Sequence, residues 1–191
     1  MPTLNFAEFS GLFESFERTA VRLEARPRTD VPSERADVEA FLAGRLPSRR
    51  EREPDDPWSA MTERKAAAGS PLTRVRVMDE PLTDYNRFMV YCARASVHHG
   101  ENISFLTRDS AAALDLPDHD FWVFDSARLV ELRFTGDDRP LDHDLITDPD
   151  LVARHGAWFE RAFAAAVPWA DYLAEDPSRE EPPVRMASRR R

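Results

Sequence analysis

Cysteine is nearly missing from this chain. Cys92 is the only one in 191 residues, so no internal disulfide can form and a small secreted disulfide scaffold is excluded. A lone cysteine in this composition reads as a small apolar core residue in a reducing cytoplasm. Lysine is as scarce: Lys65 is the only one among 26 Lys and Arg residues. Any chemistry that needs a lysine amine must use it, and no motif surrounds it. The skew toward arginine and alanine reads as the coding bias of a GC-rich bacterial genome. Six glycines leave no GxGxxG or P-loop, and GxSxG, HExxH and Cys-based zinc spacings are also missing. These absences count against dehydrogenases, P-loop NTPases, α/β-hydrolases and zinc-helix proteases. No apolar run approaches the roughly 20 residues of a membrane span. The opening MPTLNFAEFSGLFESFER has no basic flank before an apolar run, so no secretory signal is expected.

What is present is a 42% hydrophobic fraction with twelve Phe, enough for one core without staples. The net charge of −9 argues against direct nucleic-acid binding. It leaves room for a local basic patch or a basic protein partner.

Phe9, Leu12, Phe13 and Phe16 form a helical stripe, predicting an amphipathic helix over 6–18. Alternation over 19–26 predicts a short strand, and Ser33 opens a short helix ending near Gly44. Residues 45–57, RLPSRREREPDDP, are almost without apolar side chains and read as an exposed loop. Pro57 starts another helix, to about Ala68. Val75 and Val77 alternate with Arg74 and Arg76 in a strand over 73–78, and Thr83 or Asp84 caps a helix bearing Tyr85, Phe88, Met89 and Cys92. Strands follow at 103–106, 121–124 and 129–134, with a turn at 125–128 and a short fifth strand at 141–146. Asp148–Pro149 caps a long helix whose stripe includes His155, Trp158 and Phe159. Pro168 ends or kinks that helix.

The predicted fold is α/β (mixed α+β). A small mixed sheet, with a strand–helix–strand crossover and a hairpin, is covered by helices. Residues 1–174 form one globular domain and 175–191 a disordered tail.

Three constellations carry chemistry. His98, His99 and Glu101, with the His119–Asp120 and His143–Asp144 pairs, offer metal-ligand types. Neighbouring helical residues point about 100° apart, however, and no spacing matches a known site. No resident metal or cofactor is therefore expected. Asp118, Asp120 and Asp125 flank one strand and could serve as an acid–base pair, but aspartates at strand ends commonly accept backbone hydrogen bonds. The third is a recognition face of Arg74, Arg76, Asp84, Tyr85, Arg87, Arg108, Asp120 and Trp122. Arginine beside aromatic rings suits carboxylate, phosphate or protein recognition. Trp122 lies opposite Phe121 and Val123 on its strand, so it is exposed unless a helix covers it. The bland alternative is that a helix does, and that the arginines pair with the surplus acids.

The segments LNFAEFSGLFESFERTAVRLE, RVRVMDEPLTDYNRF, GENISFL and LPDHDFWVFD resemble the actinobacterial DUF6879 family of unknown function, with its PLTDYxRF and LPxxDFWLFD segments, over roughly residues 4–170. The charged loop RREREPDDP and the segment beyond Ala174 depart from the pattern. Genes of that family resemble neighbours of helix-turn-helix regulators, in loci like toxin–antitoxin or developmental-control operons. The resemblance implies a regulatory or partner-binding role. With the missing motifs and the arginine–aromatic cluster, the expected function is a non-catalytic cytoplasmic protein that acts with such a regulator or senses a small anionic ligand. A metal-assisted hydrolase or nuclease-like toxin using Asp and His is the first alternative. A homodimer joined through the Phe-rich first helix is the second. The strand–helix–strand order also resembles half of a phospholipase D-like domain, but its HxKxxxxD motif is absent.

Overall fold

Asn5 sets the start of the first helix. Its side chain accepts from Glu8 N at 3.0 Å while Glu8 accepts from Asn5 N at 2.9 Å, a reciprocal capping box. The computed structural model describes residues 3–45 and 57–183. Within them a strand β1 (Thr3–Leu4) precedes helix α1 (Phe6–Ser15), then β2 (Ala20–Glu24), α2 (Arg35–Leu42), α3 (Pro57–Ala67) and β3 (Leu72–Met78). Next come α4 (Asp84–His98), β4 (Asn102–Thr107), α5 (Arg108–Ala113), β5 (Phe121–Phe124), β6 (Arg128–Glu131) and β7 (His143–Ile146). Helix α6 (Pro149–Ala165), strand β8 (Val167–Pro168) and helix α7 (Trp169–Glu175) complete the order.

The strands form one mixed sheet in the order β1-β7-β6-β5-β2-β3-β4-β8. β2, β3 and β4 run parallel, so β3–α4–β4 is the predicted crossover, and the β5–β6 hairpin adds antiparallel strands beside β2. At its turn Asp125 and Ser126 have φ of 52° and 53°, the positive values that a tight hairpin requires and that Asp tolerates. The Asp125 carboxylate also accepts from Glu17, Arg18 and Thr19 N–H, the tightest at 2.7 Å. That ties the turn to the α1–β2 loop.

Each face of the sheet has its own core. On one, Leu23, Val75, Val77, Phe121, Val123 and Leu129 lie under Val152, Phe159 and Ala162 of α6. On the other, Ala20, Leu72, Trp122, Phe124 and Val130 lie under Leu12, Phe13 and Phe16 of α1 and Met61 of α3. Farther along this second face, Met78, Ile103 and Phe105 meet Val90 and Ala93 of α4 and Tyr172 and Leu173 of α7. A sheet covered on both sides buries both side-chain rows of its central strands, which is why all four residues of β5 are buried.

The differences from expectation have local causes. α1 stops at Ser15 because Phe16 is already extended, at ψ 148°. β6 ends at Glu131, where Leu132 N turns to the carbonyl of Asp120 at 2.9 Å. α5, β1, β8 and α7 were not expected: each is too short to show periodicity. Pro177–Glu180 form a 3₁₀ turn whose Glu180 pairs with Arg94 of α4. Residues 184–191 of the expected tail, and 46–56 of the expected charged loop, lie outside the described residues. Among the described residues, no helix is long and apolar enough to cross a membrane.

Candidate functional site

The strand register decides what the candidate arginines do. Arg22 pairs across the sheet with Arg74 on one side and Trp122 on the other, and Glu24 pairs with Arg76. All of them therefore project to the second face, where Arg22, Glu24, Arg74 and Arg76 make a polar belt beside the apolar cluster that holds Trp122. Glu24 is the hub: Arg76 donates to it through Nε at 3.0 Å and Nη2 at 3.1 Å, and Arg74 and Arg22 stand at 3.6 and 3.7 Å. Arg74 Nε also lies 2.9 Å from Glu101, which accepts from Trp58 Nε1 at 2.9 Å. At the other end Arg22 pairs with Asp120 at 3.2 Å, and Asp120 accepts from Ala25 and Arg26 N–H at 2.8 and 2.9 Å. Three guanidiniums thus face three buried or nearly buried carboxylates. Burial opposes ionisation of Glu24, yet Arg22, Arg76 and Arg74 outweigh it and hold its pKa at about 2. For Asp120 burial wins, aided by nearby Glu24, and its pKa is raised against the pull of Arg22 and Arg26 N–H.

Arg74, Arg76 and Asp120 therefore belong to an internal network of ion pairs, in which the Arg74 Nε–Glu101 contact is an ion pair without hydrogen-bond geometry. Trp122 is 2% exposed. It packs edge-on against Phe13 at 4.9 Å, and the Arg22 guanidinium lies 5.7 Å from its ring centre. The helix α1 covers it: of the two readings the sequence left open the buried one holds, and Trp122 presents no exposed recognition ring. Arg87 donates to the carbonyl of Ser178 at 2.9 Å, and Arg108 pairs with Asp79 and donates to the carbonyl of Ala25 at 3.0 Å. The eight candidates do not form one face.

Two of them do share a surface feature. Asp84 and Tyr85, at the start of α4, line a cleft of about 400 Å³ with Arg28, Asp30, Val31, Glu34, Arg35, Val38, Glu39 and Leu42. Its apolar lining comes from Val31, Val38, Leu42 and the Tyr85 ring. The Tyr85 hydroxyl is fixed by Thr29 Oγ1 at 2.6 Å, and burial raises its pKa. Its rim carries four carboxylates against two guanidiniums. Both guanidiniums are paired within the protein, Arg28 with Asp138 at 2.7 Å and Arg35 with Asp30 at 2.5 Å. Glu39 of α2, and Asp30 and Glu34 just before it, drew no notice in the sequence because a helix surface is ordinarily charged; only the fold brings them into one cleft with Asp84.

The potential metal ligands regroup. His99 binds Glu63 at 2.6 Å, while Glu101 is taken by Arg74 and Trp58, so His98, His99 and Glu101 do not converge. His143 accepts from Arg133 N–H at 3.3 Å. Asp120 and Asp125 bind separate backbone segments, at Ala25–Arg26 and at Glu17–Thr19. Instead His119 meets His155, which the sequence presented as a core-stripe member, and Glu131, which falls inside the predicted strand 129–134.

A family model described as "Domain of unknown function (DUF6879)" matches residues 7–174, and the chain belongs to that family. No curated protein matches it.

Proposed function

We propose that this member of the family is a binding protein, and that the cleft between α2 and the start of α4 receives a basic segment of a partner protein. The acidic rim over an apolar wall carries the reading. A guanidinium or ammonium would meet Glu39 and Asp84 at the rim while an apolar side chain of the same segment covers Val38, Leu42 and Tyr85. The arginines that would bind a small anion are already engaged with Glu24, Glu101, Asp79 and Asp138, which favours a cationic occupant over an anionic one. DNA-binding proteins carry such basic segments. This joins the reading to the regulatory role that the family resemblance implied.

The test uses a short fluorescent peptide alternating arginine and leucine, with a glutamate–leucine peptide and inorganic phosphate as comparisons. The basic peptide should bind, more weakly as salt rises. Glu39→Lys and Asp84→Asn should each weaken it about fivefold or more, the equivalent of about 1 kcal/mol. No binding of the basic peptide, binding indifferent to both substitutions, or tighter binding of phosphate would reject the proposal.

A further inference from the structure

We propose that His119, Glu131 and His155 form a site for one divalent transition ion of the zinc class, with an open fourth position for water. His119 enters from the loop before β5, Glu131 ends β6, and His155 lies midway along α6. His155 Nε2 is 3.2 Å from His119 Nε2 and 3.3 Å from Glu131 Oε1, and the His119–Glu131 separation is 3.9 Å. Ligands about 2.0–2.1 Å from a tetrahedral zinc stand about 3.3 Å from one another. Two edges of the triangle already match, and the third closes by a small turn of two half-exposed side chains.

The hydrogen bonding supports the same assignment. His155 Nδ1 is 2.8 Å from the carbonyl of Leu151. A carbonyl only accepts, so Nδ1 carries a proton, and in the neutral ring the Nε2 lone pair points into the group. This outer contact is the one that orients a metal-binding imidazole. With His155 in that form, its lone pair and the Glu131 carboxylate face each other at 3.3 Å as two acceptors. A proton on His119 Nε2 can bridge only one contact at a time. A cation at the centre satisfies all three donors.

Packing also positions the three ligands. Phe121 pairs across the hairpin with Glu131, which sets the Glu131 backbone beside the start of β5. The His155 ring is packed edge-on by Phe121 at 4.8 Å and Trp158 at 4.7 Å. Its side chain is 4% exposed, whereas His119 and Glu131 are 39% and 36% exposed, so solvent reaches the open side. Two imidazoles and one carboxylate suit zinc, iron(II), cobalt or manganese in preference to calcium or magnesium.

The test titrates untagged, chelator-treated protein with zinc by calorimetry and with cobalt by visible absorption. Uptake of one ion per chain, with the absorption of a low-coordinate cobalt site, is expected. His119→Ala and Glu131→Gln, at half-exposed positions, should each weaken zinc by more than about 100-fold, beyond the 10–100-fold typical of losing an outer contact. His99→Ala should leave it unchanged. His155→Ala is less informative because it empties a buried position. The proposal is overturned if the folded protein takes up no stoichiometric ion, if both ligand variants bind as the wild type does, or if magnesium and calcium bind equally well.

Discussion

Replacing Glu24 with Gln removes one charge and almost no volume from the buried belt. The remaining Glu101 and Asp120 then face three guanidiniums, of Arg22, Arg74 and Arg76. Two routes give the magnitude. The Glu24 pKa falls from 4.5 to about 2, worth about 3 kcal/mol at 1.36 kcal/mol per unit. Breaking a buried ion pair from one side generally costs about 3–5 kcal/mol. The Glu24 side chain is 11% exposed, so solvent screening removes little. Glu24→Gln should therefore lower the unfolding free energy by about 3 kcal/mol at neutral pH. A carboxylate with a depressed folded pKa stabilises above its unfolded value and loses that contribution as pH falls through the folded one. The wild type should thus lose this increment between pH 4.5 and about 2, and the difference between wild type and variant should shrink over the same window. Adding Arg76→Met to Glu24→Gln restores the charge balance, so the double variant should lose less than the two single losses summed. Urea unfolding followed by circular dichroism, repeated across that pH range, reads all three. A neutral-pH loss below about 1 kcal/mol, or a difference that does not change with pH, would refute the account of the belt.

Trp122→Ala should destabilise by about 3–5 kcal/mol in the same unfolding assay, as large core truncations do, because the ring is 2% exposed under α1. A loss under 1 kcal/mol would return it to the surface role that its strand position suggested. Gly100 has φ +91°, and a Cβ there would stand 2.6 Å from the Ala66 Cβ of α3. Gly100→Ala should cost about 2 kcal/mol from the backbone and the contact together. The added substitution Ala66→Gly should relieve the contact portion, and a double variant as unstable as the single would show that the α3–β4 approach is not the cause.

Periodicity and caps carried the fold a long way. The Phe9–Phe16 stripe, the Thr83 start of α4 and the Asp148–Pro149 start of α6 are local signals, and they hold because a helix buries one stripe and needs its first N–H groups satisfied. Alternation placed β3 and the hairpin. It could not show that β5 is covered on both faces, because FWVF reads the same whether one row is exposed or both are buried. The candidate site was less legible. Arg74 and Arg76 were marked by type and by their shared strand face, but Glu24 and Glu101, which neutralise them, come from β2 and the α4–β4 turn. The acidic cleft joins α2 to α4, and the His–Glu–His group joins a loop, a strand and a helix.

The sequence by itself determined which motifs are missing: one cysteine allows no internal disulfide, and six glycines form no Gly-rich phosphate loop. It also determined the main elements, because helix and strand patterns are set by neighbours a few residues away. Only the tertiary structure decided that Trp122 is core, that the arginines are internally neutralised, and that His119, Glu131 and His155 meet. Burial and Coulomb interaction depend on distance in space and on what excludes water, and those are fixed only when β2, β3 and β5 are paired and the helices close over them.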